Sequence, residues 1–307
     1  MGWNAGTLTP LSNAALINRQ PKHIPRTFLS SIWMSGFGLA ANAAGSLYFV
    51  TGNSAPSGTT YDADVNLAES VVKLSPDLAT VQDYFTPGGA KNGEAELDIK
   101  DLDFGSGGIM LLPKQPTNFP DLAVAAGKSG VMYLLDRGQL GAYVPNGPNN
   151  DVGEVAIETC YCGPSYFTGP DGAERVVSSG NSKAIGWRVR TKPSTSLVAK
   201  SKIAPVTGAQ TMGFFTSVSP NGQVAGTAVI WAVARPAKTG TPAVTLLAYN
   251  PSGGATLFSA SAGPWPNPGN ANLVAVVANG FVYVASYKQL AIFGMASAAA
   301  RLYARPR

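Results

Sequence analysis

Short apolar runs, each closed by a turn rich in Gly, Asn, Pro or Ser, recur along this chain at a period of tens of residues. The clearest copy runs through Gly38-Leu-Ala-Ala-Asn-Ala-Ala-Gly45, then Ser46-Leu-Tyr-Phe-Val-Thr-Gly52, then Glu69-Ser-Val-Val-Lys-Leu-Ser75. Such runs bounded by turn residues read as strands. A unit of four strands repeated about five times reads as the blades of a propeller. The pattern therefore predicts an all-β fold, a β-propeller of four-stranded antiparallel blades with about five blades present. The second and third runs of each unit are nearly continuous in apolar character. That is expected where a strand is sandwiched between neighbouring blades and both of its faces are buried.

Blade one is expected from about Trp33 to Thr86, with strands near 38–43, 46–51, 69–75 and 80–86. Blade two has strands at 107–113, 122–127 and 131–136. Blade three has them at 163–167, 175–179, 184–190 and 196–199, and blade four at 214–219, 228–233, 244–249 and 256–259. Blade five has 273–277, 281–285 and 289–293 and no evident fourth strand. Insertions fall at about 53–66, 87–105 and 138–162, and helical content should be very low. The organisation is one propeller domain over 1–307: a partial blade and connecting segment at 1–30, a repeat core at 31–294, and a tail at 295–307 that forms a short helix or frays. Residues 1–8 read as a third strand caught halfway and 14–18 as a fourth. Two arrangements follow: the N-terminal strand completes blade five in a closed ring, or the chain is part of a larger propeller. The mid-blade start favours the second.

Composition narrows the chemistry. The 307 residues include 35 Gly and 23 Pro but only 13% charged residues, with 45% hydrophobic, which suits a turn-rich β protein and excludes disorder. The net charge of +5 is unevenly spread. Residues 62–174 carry all 17 acids, while 175–307 carry 13 bases and no acid. A basic face would suit an anionic surface, although the bases form no long run and do not alternate with aromatics as nucleic-acid platforms do, so no specific nucleic acid is expected. With two cysteines and one histidine, His23, a four-ligand Cys/His zinc site cannot be assembled. There is no G-x-S-x-G elbow and no C-x-x-C-H haem motif. No apolar span is long enough for a transmembrane helix, and the first residues lack the charged and apolar regions of a signal peptide.

Propeller geometry places the loops leading into each innermost strand, and those joining second to third strands, on one face around the central channel, where ligands usually sit. The first set is 33–36, 101–106, 160–163, 210–213 and 268–272; the second includes 127–129 and 287–288. The funnel candidates are therefore Trp33, Ser35, Asp101, Asp103, Lys128 and Lys288. Glu94, Glu96, Asp98, Asp101 and Asp103 form the one dense acidic cluster. Its oxygens could hold Ca²⁺, with Asp101 and Asp103 as the ligands nearest the channel, or form a solvated acidic loop in which Asp103 caps the Gly105-Ser-Gly-Gly108 turn. Cys160 and Cys162 are a redox pair, a soft-metal clamp, a structural disulfide or two buried thiols. Trp33 and Trp265 fall in loops as stacking candidates, whereas Trp187 and Trp231 fall mid-strand as blade core. The Gly-rich turns at 105–108 and 127–130 lack P-loop spacing and open no predicted helix.

The chain resembles bacterial PQQ-like (pyrroloquinoline-quinone repeat) β-propeller proteins, a group spanning quinoprotein dehydrogenases and non-catalytic envelope propellers. The resemblance is carried by Ser31-Ile-Trp-Met-Ser-Gly36, Ser46-Leu-Tyr-Phe-Val-Thr-Gly-Asn53, Asp101-Leu-Asp-Phe-Gly-Ser-Gly-Gly108 and Ala125-Ala-Gly-Lys-Ser-Gly-Val-Met-Tyr-Leu-Leu-Asp136. It implies an extracytoplasmic location, secreted or periplasmic. Quinoprotein members of the group use PQQ over a Trp floor, Ca²⁺ on carboxylate and amide oxygens, a catalytic Asp and often a vicinal Cys-Cys disulfide. Here Tyr161 separates the two cysteines. With one histidine and no aligned acid–base pair, the expected function is a non-catalytic binding or scaffold propeller with a protein or polysaccharide partner. The alternative is a quinoprotein-like oxidoreductase whose funnel uses Asp101, Asp103 and Trp33 for PQQ and Ca²⁺.

Overall fold

The computed structural model describes residues 2–14, 31–54, 61–89, 91, 93–161, 163–180, 183–203, 214–222, 224–234, 243–266 and 273–295. Its strands form five sheets, and sequence neighbours within a sheet pair antiparallel. Sheet one contains β1 (Ala40–Ala41), β2 (Leu47–Val50), β3 (Val71–Leu74) and β4 (Val81–Thr86). Sheet two begins with β5 (Gly108–Leu111), β6 (Leu122–Ala126) and β7 (Val131–Asp136). The chain then sends β8 (Ala142–Tyr143) back to pair in parallel with β4, before β9 (Gly153–Ala156) completes sheet two beside β7. Sheet three is β10 (Ser165–Thr168), β11 (Glu174–Gly180), β12 (Lys183–Arg190) and β13 (Ser196–Ile203). Sheet four is β14 (Phe215–Ser219), β15 (Val229–Ala234), β16 (Ala243–Tyr249) and β17 (Thr256–Pro264). Sheet five has three strands, β18 (Val276–Ala278), β19 (Phe281–Ser286) and β20 (Gln289–Gly294).

The core lies between the sheets. Phe49, Val71 and Phe85 of sheet one meet Ala123, Ala125 and Tyr133 of sheet two. Leu122, Val124 and Leu134 of sheet two meet Val176, Trp187 and Val189 of sheet three. Val177 and Ala184 meet Ile230 and Ala232, and Val244 and Leu246 meet Val282 and Val284. This succession of face-to-face sheets, each packed on the next, is a β-propeller of about five blades. β6 explains the missing alternation: its residues turn alternately to sheet one and sheet three, and all five are buried. Each buried Val, Leu, Ile or Phe side chain contributes about 1.5–3 kcal/mol, so these seams hold the blades together.

The structure corrects several expectations. The insertion at 87–105 contains the one α-helix among the described residues, α1 (Glu94–Lys100). Glu94 and Asp98 are buried, so the acidic cluster is not a solvated loop. The insertion at 138–162 holds β8 and β9, and β9 supplies the fourth strand of blade two. At the N-terminus, Trp3 pairs with Pro10 in an isolated bridge, and no described residue there joins β20. Residues 15–18 of the expected fourth strand, the loops 210–213 and 268–272, and the tail beyond Met295 lie outside the described residues.

Candidate functional site

Three blades bring their lead-in loops together at one point. A 3-10 turn at Met34–Gly36 precedes β1, another at Phe104–Ser106 precedes β5, and the loop around Cys160 and Tyr161 precedes β10. Buried aromatics anchor the middle loop: Phe104 lies 5.4 Å from Tyr133 and 6.5 Å from Phe85, ring centre to ring centre. Such aromatic contacts add to area burial and fix the loop to the first seam. Glycine then permits close backbone approach at two places. A Cβ on Gly105 would lie 2.5 Å from the amide nitrogen of Gly52, and one on Gly127 would lie 2.6 Å from Cα of Phe104. The second approach presses the β6–β7 turn against the middle loop, and the backbone N–H of Lys128 donates to the carbonyl of Asp103 at 3.1 Å.

Lys128 is the centre of the cluster. Its Nζ donates to the backbone oxygen and Oδ2 of Asp101, both at 3.0 Å, and to Oδ2 of Asp103. The same Nζ lies 5.9 Å from the Trp33 ring centre and 5.3 Å from that of Tyr161, within cation–π reach of both. The two rings are themselves 6.0 Å apart and tilted by 60°. Burial alone would lower the pKa of Lys128, but the carboxylates of Asp103 and Asp101 outweigh it and raise the pKa. The ammonium is therefore fixed as a cation. Asp103 is buried, whereas the Asp101 side chain is 74% exposed at the rim. Asn53 joins them: its backbone N–H donates to Asp103 Oδ1 at 3.3 Å and its side-chain amide to Asp101 Oδ1 at 3.1 Å.

The sequence candidates divide accordingly. Trp33, Asp101, Asp103 and Lys128 are brought together. Ser35 is placed beside them but is buried, with no hydrogen-bond partner for its hydroxyl among the described residues. Lys288 is set apart on blade five, over the ring of Tyr287 at 5.1 Å. Asp103 does not cap the glycine turn with its side chain; its backbone oxygen accepts from Ser106 and its carboxylate turns to Lys128. Cys160 is buried and disulfide-bonded, and its carbonyl accepts from Ser106 Oγ at 3.2 Å, tying two of the three loops; Cys162 lies outside the described residues. Trp187 is core, its Nε1 donating to Ser178 at 2.7 Å. Trp265, in a loop, packs against the seam between sheets four and five.

Sequence reasoning missed Asn53, Tyr161 and Glu69 as members of the cluster. Glu69 is fully buried, its Oε2 accepting from the backbone N–H of Phe104. Burial, opposed by that hydrogen bond, raises its pKa well above the usual carboxylate range. A lone acid inside an otherwise apolar run, Leu67-Ala-Glu-Ser-Val-Val72, was the available signal.

The diacid was the expected Ca²⁺ position. Ca²⁺ takes about six to eight oxygen ligands. Here the two carboxylates converge on the Lys128 ammonium, which stands where their oxygens meet. Among the described residues no group of three or more His, Cys, Asp or Glu side chains is arranged to hold a metal ion. The residues as placed do not fit Ca²⁺. A cavity of about 390 Å³ beside the inner strands β1 and β5 is lined by Phe37, Leu39, Ile109, Met110, Leu111 and Pro164. Its wall is apolar, so the polar chemistry is confined to the loop rim.

No family model and no curated protein matches the chain. Solved structures are similar in fold. BamB from Moraxella catarrhalis matches at 11% identity and TM-score 0.46, over 83% of this chain and 56% of its own. A quinohemoprotein alcohol dehydrogenase from Comamonas testosteroni matches at 15% identity and TM-score 0.42, over 84% of this chain and 44% of its own. An endo-arabinase from Bacteroides thetaiotaomicron matches at 13% identity and TM-score 0.39, over 89% of this chain and 98% of its own. The chain thus spans about half the length of the first two. Among the described residues no helix is long and apolar enough to cross a membrane.

Proposed function

We propose that this chain is a non-catalytic extracytoplasmic propeller that binds a protein or polysaccharide partner through the rim built from Trp33, Tyr161, Asn53 and Asp101. One observation carries the reading: the Lys128 ammonium is ion-paired to both Asp101 and Asp103. Within the cluster, Lys128, Asp101 and Asp103 are engaged with one another and hold the loops together. What the rim offers outward is an aromatic surface beside hydrogen-bonding groups. Trp33 is 38% exposed, and Asp101 and Asn53 lie next to it. Aromatic residues flanked by a few polar groups are the usual currency of recognition.

The second reading is a quinoprotein-like oxidoreductase. It is favoured by the meeting of Trp33, Asp101 and Asp103 with the disulfide-bonded Cys160 loop, residue types the family resemblance assigns to a PQQ site, and it requires Ca²⁺ to displace the Lys128 ammonium from between the two carboxylates. Titration of the purified protein with pyrroloquinoline quinone and Ca²⁺, followed by quinone absorbance and thermal unfolding together, separates the two. A ligand bound by the native state alone raises the melting temperature. The binding reading expects no saturable absorbance change and no stabilisation. Saturable binding with a raised Tm would overturn it in favour of the oxidoreductase.

A further inference from the structure

The outer half of blade three carries a second, independent feature. Arg188 and Arg190 stand two residues apart on β12, so their side chains leave the same face about 7 Å apart. Across from them β13 places Val198 opposite Arg188 and Ser196 opposite Arg190. The pairing then slips: Trp187 faces Ala199 and Gly186 faces Ser201, which leaves Lys200 as the unpaired residue of a bulge. A bulge re-aims a side chain, and here Lys200 joins the two arginines. With Lys192 these residues line a cavity of about 450 Å³.

The cations of this groove are poorly neutralised. Arg188 approaches Asp171 at 3.8 Å, a carboxylate already held by Arg175 at 2.8 Å. Arg190 spends its Nε on Ser196 Oγ at 2.9 Å and Nη2 on Ser194 Oγ at 3.4 Å, both neutral. Among the described residues Arg190, Lys192 and Lys200 have no acidic partner. The chain from 175 onward contains no acid that could supply one.

We infer that this groove binds a linear acidic polysaccharide, through carboxylate or sulfate groups spaced along the polymer. A concave site with cations along one strand suits an extended polyanion. Among the described side chains of 183–200 no large apolar residue is exposed, so the anchors of an interfacial membrane site are missing there. No aromatic residue lines the groove, so the stacking platform of a single-stranded nucleic-acid site is missing too.

The test titrates the full chain with polygalacturonate and with heparin, with dextran as the neutral polymer. Saturable binding of at least one polyanion is expected, with none to dextran, and with affinity falling as salt rises. Arg188→Gln combined with Arg190→Gln, and separately Lys200→Gln, should weaken binding at least tenfold while circular dichroism and Tm stay unchanged, because these side chains are exposed. Lys288→Gln, on blade five, should leave binding unaltered. Three results each overturn the proposal: no saturable binding of either polyanion, equal binding by the groove variants, or tighter binding to phosphatidylglycerol vesicles or single-stranded DNA.

Discussion

Lys128 does three things with one ammonium: it neutralises Asp103, reaches the backbone and carboxylate of Asp101, and lies within cation–π range of two rings. These contacts reach the 101–106 loop, Trp33 on the loop before β1 and Tyr161 on the loop before β10, so the residue works as a clasp across blades one, two and three. Replacing it with Met removes the charge and keeps most of the stem. Asp103 is then left buried without its counter-ion, the situation in which breaking a pair costs most. Because Asp101 remains in water, its share is discounted, and the expected loss is about 2 kcal/mol rather than the ~3–5 kcal/mol of a fully buried pair. Urea denaturation of Lys128→Met measures this. Asp103→Asn added to Lys128→Met should recover part of the loss, since the orphaned charge goes with it. A double variant no more stable than the single would mean that Lys128 acts through packing alone.

At the scale of the element, α1 carries an unusual pair. Glu94 and Asp98 are one helical turn apart and both buried. Burial, with the Asp98 charge beside it, pushes Glu94 up to about 8. Burial likewise pushes Asp98 up to about 6, held lower by the Ser54 backbone N–H that donates to it at 2.8 Å. Carboxyls with raised folded pKa values bind protons more tightly in the native state. Their contribution is complete below the unfolded values and is lost as pH rises through about 6 and then about 8. Unfolding free energy should therefore decline between about pH 4 and about pH 8 and level off above, and Glu94→Gln should flatten that decline. A profile equally steep in Glu94→Gln would place its origin elsewhere, with Glu69 as the next group to replace. α1 was not legible in the sequence: seven residues with four charges and a single buried apolar side chain, Leu97, give no helical stripe. β9 was hidden for the converse reason, because its alternating exposure belongs to an outer strand and the long insertion before it breaks the cadence. Strands such as β6 and β7 were legible because burial on both faces writes an unbroken apolar run. The meeting of Trp33, Asp101, Asp103 and Lys128 was legible from blade geometry alone. The ammonium's place between the two carboxylates was not, since it depends on a backbone approach at Gly127 that spacing does not reveal.

Across the whole molecule, the difference between a covered and an uncovered blade can be read in one strand. In β6 both sets of alternate residues are buried, one against sheet one and the other against sheet three. In β19 Val282, Val284 and Ser286 are buried, while Phe281 and Ala285 are exposed. The outward side continues through Val276, Leu290 and Ile292, each more than half exposed, and Met295 at 98%. The cross-strand pairs Tyr283–Ile292 and Ala285–Leu290 make it one continuous apolar surface, with no charged side chain among these residues. Isolated exposed apolar residues are ordinary on a protein surface, but a contiguous uncharged sheet face is not. It is expected to bind the hydrophobic dye ANS in the fully native protein, before any thermal transition. Leu290→Lys combined with Ile292→Lys places charge at two outward positions without touching the Val282 and Val284 seam. That variant should lose most of the native-state ANS fluorescence while Tm shifts by no more than a few degrees, as for substitutions that leave the buried side of a sheet intact. Unchanged dye binding would locate the apolar surface on another blade, and a collapse of Tm would show that the outward side of β20 is already packed.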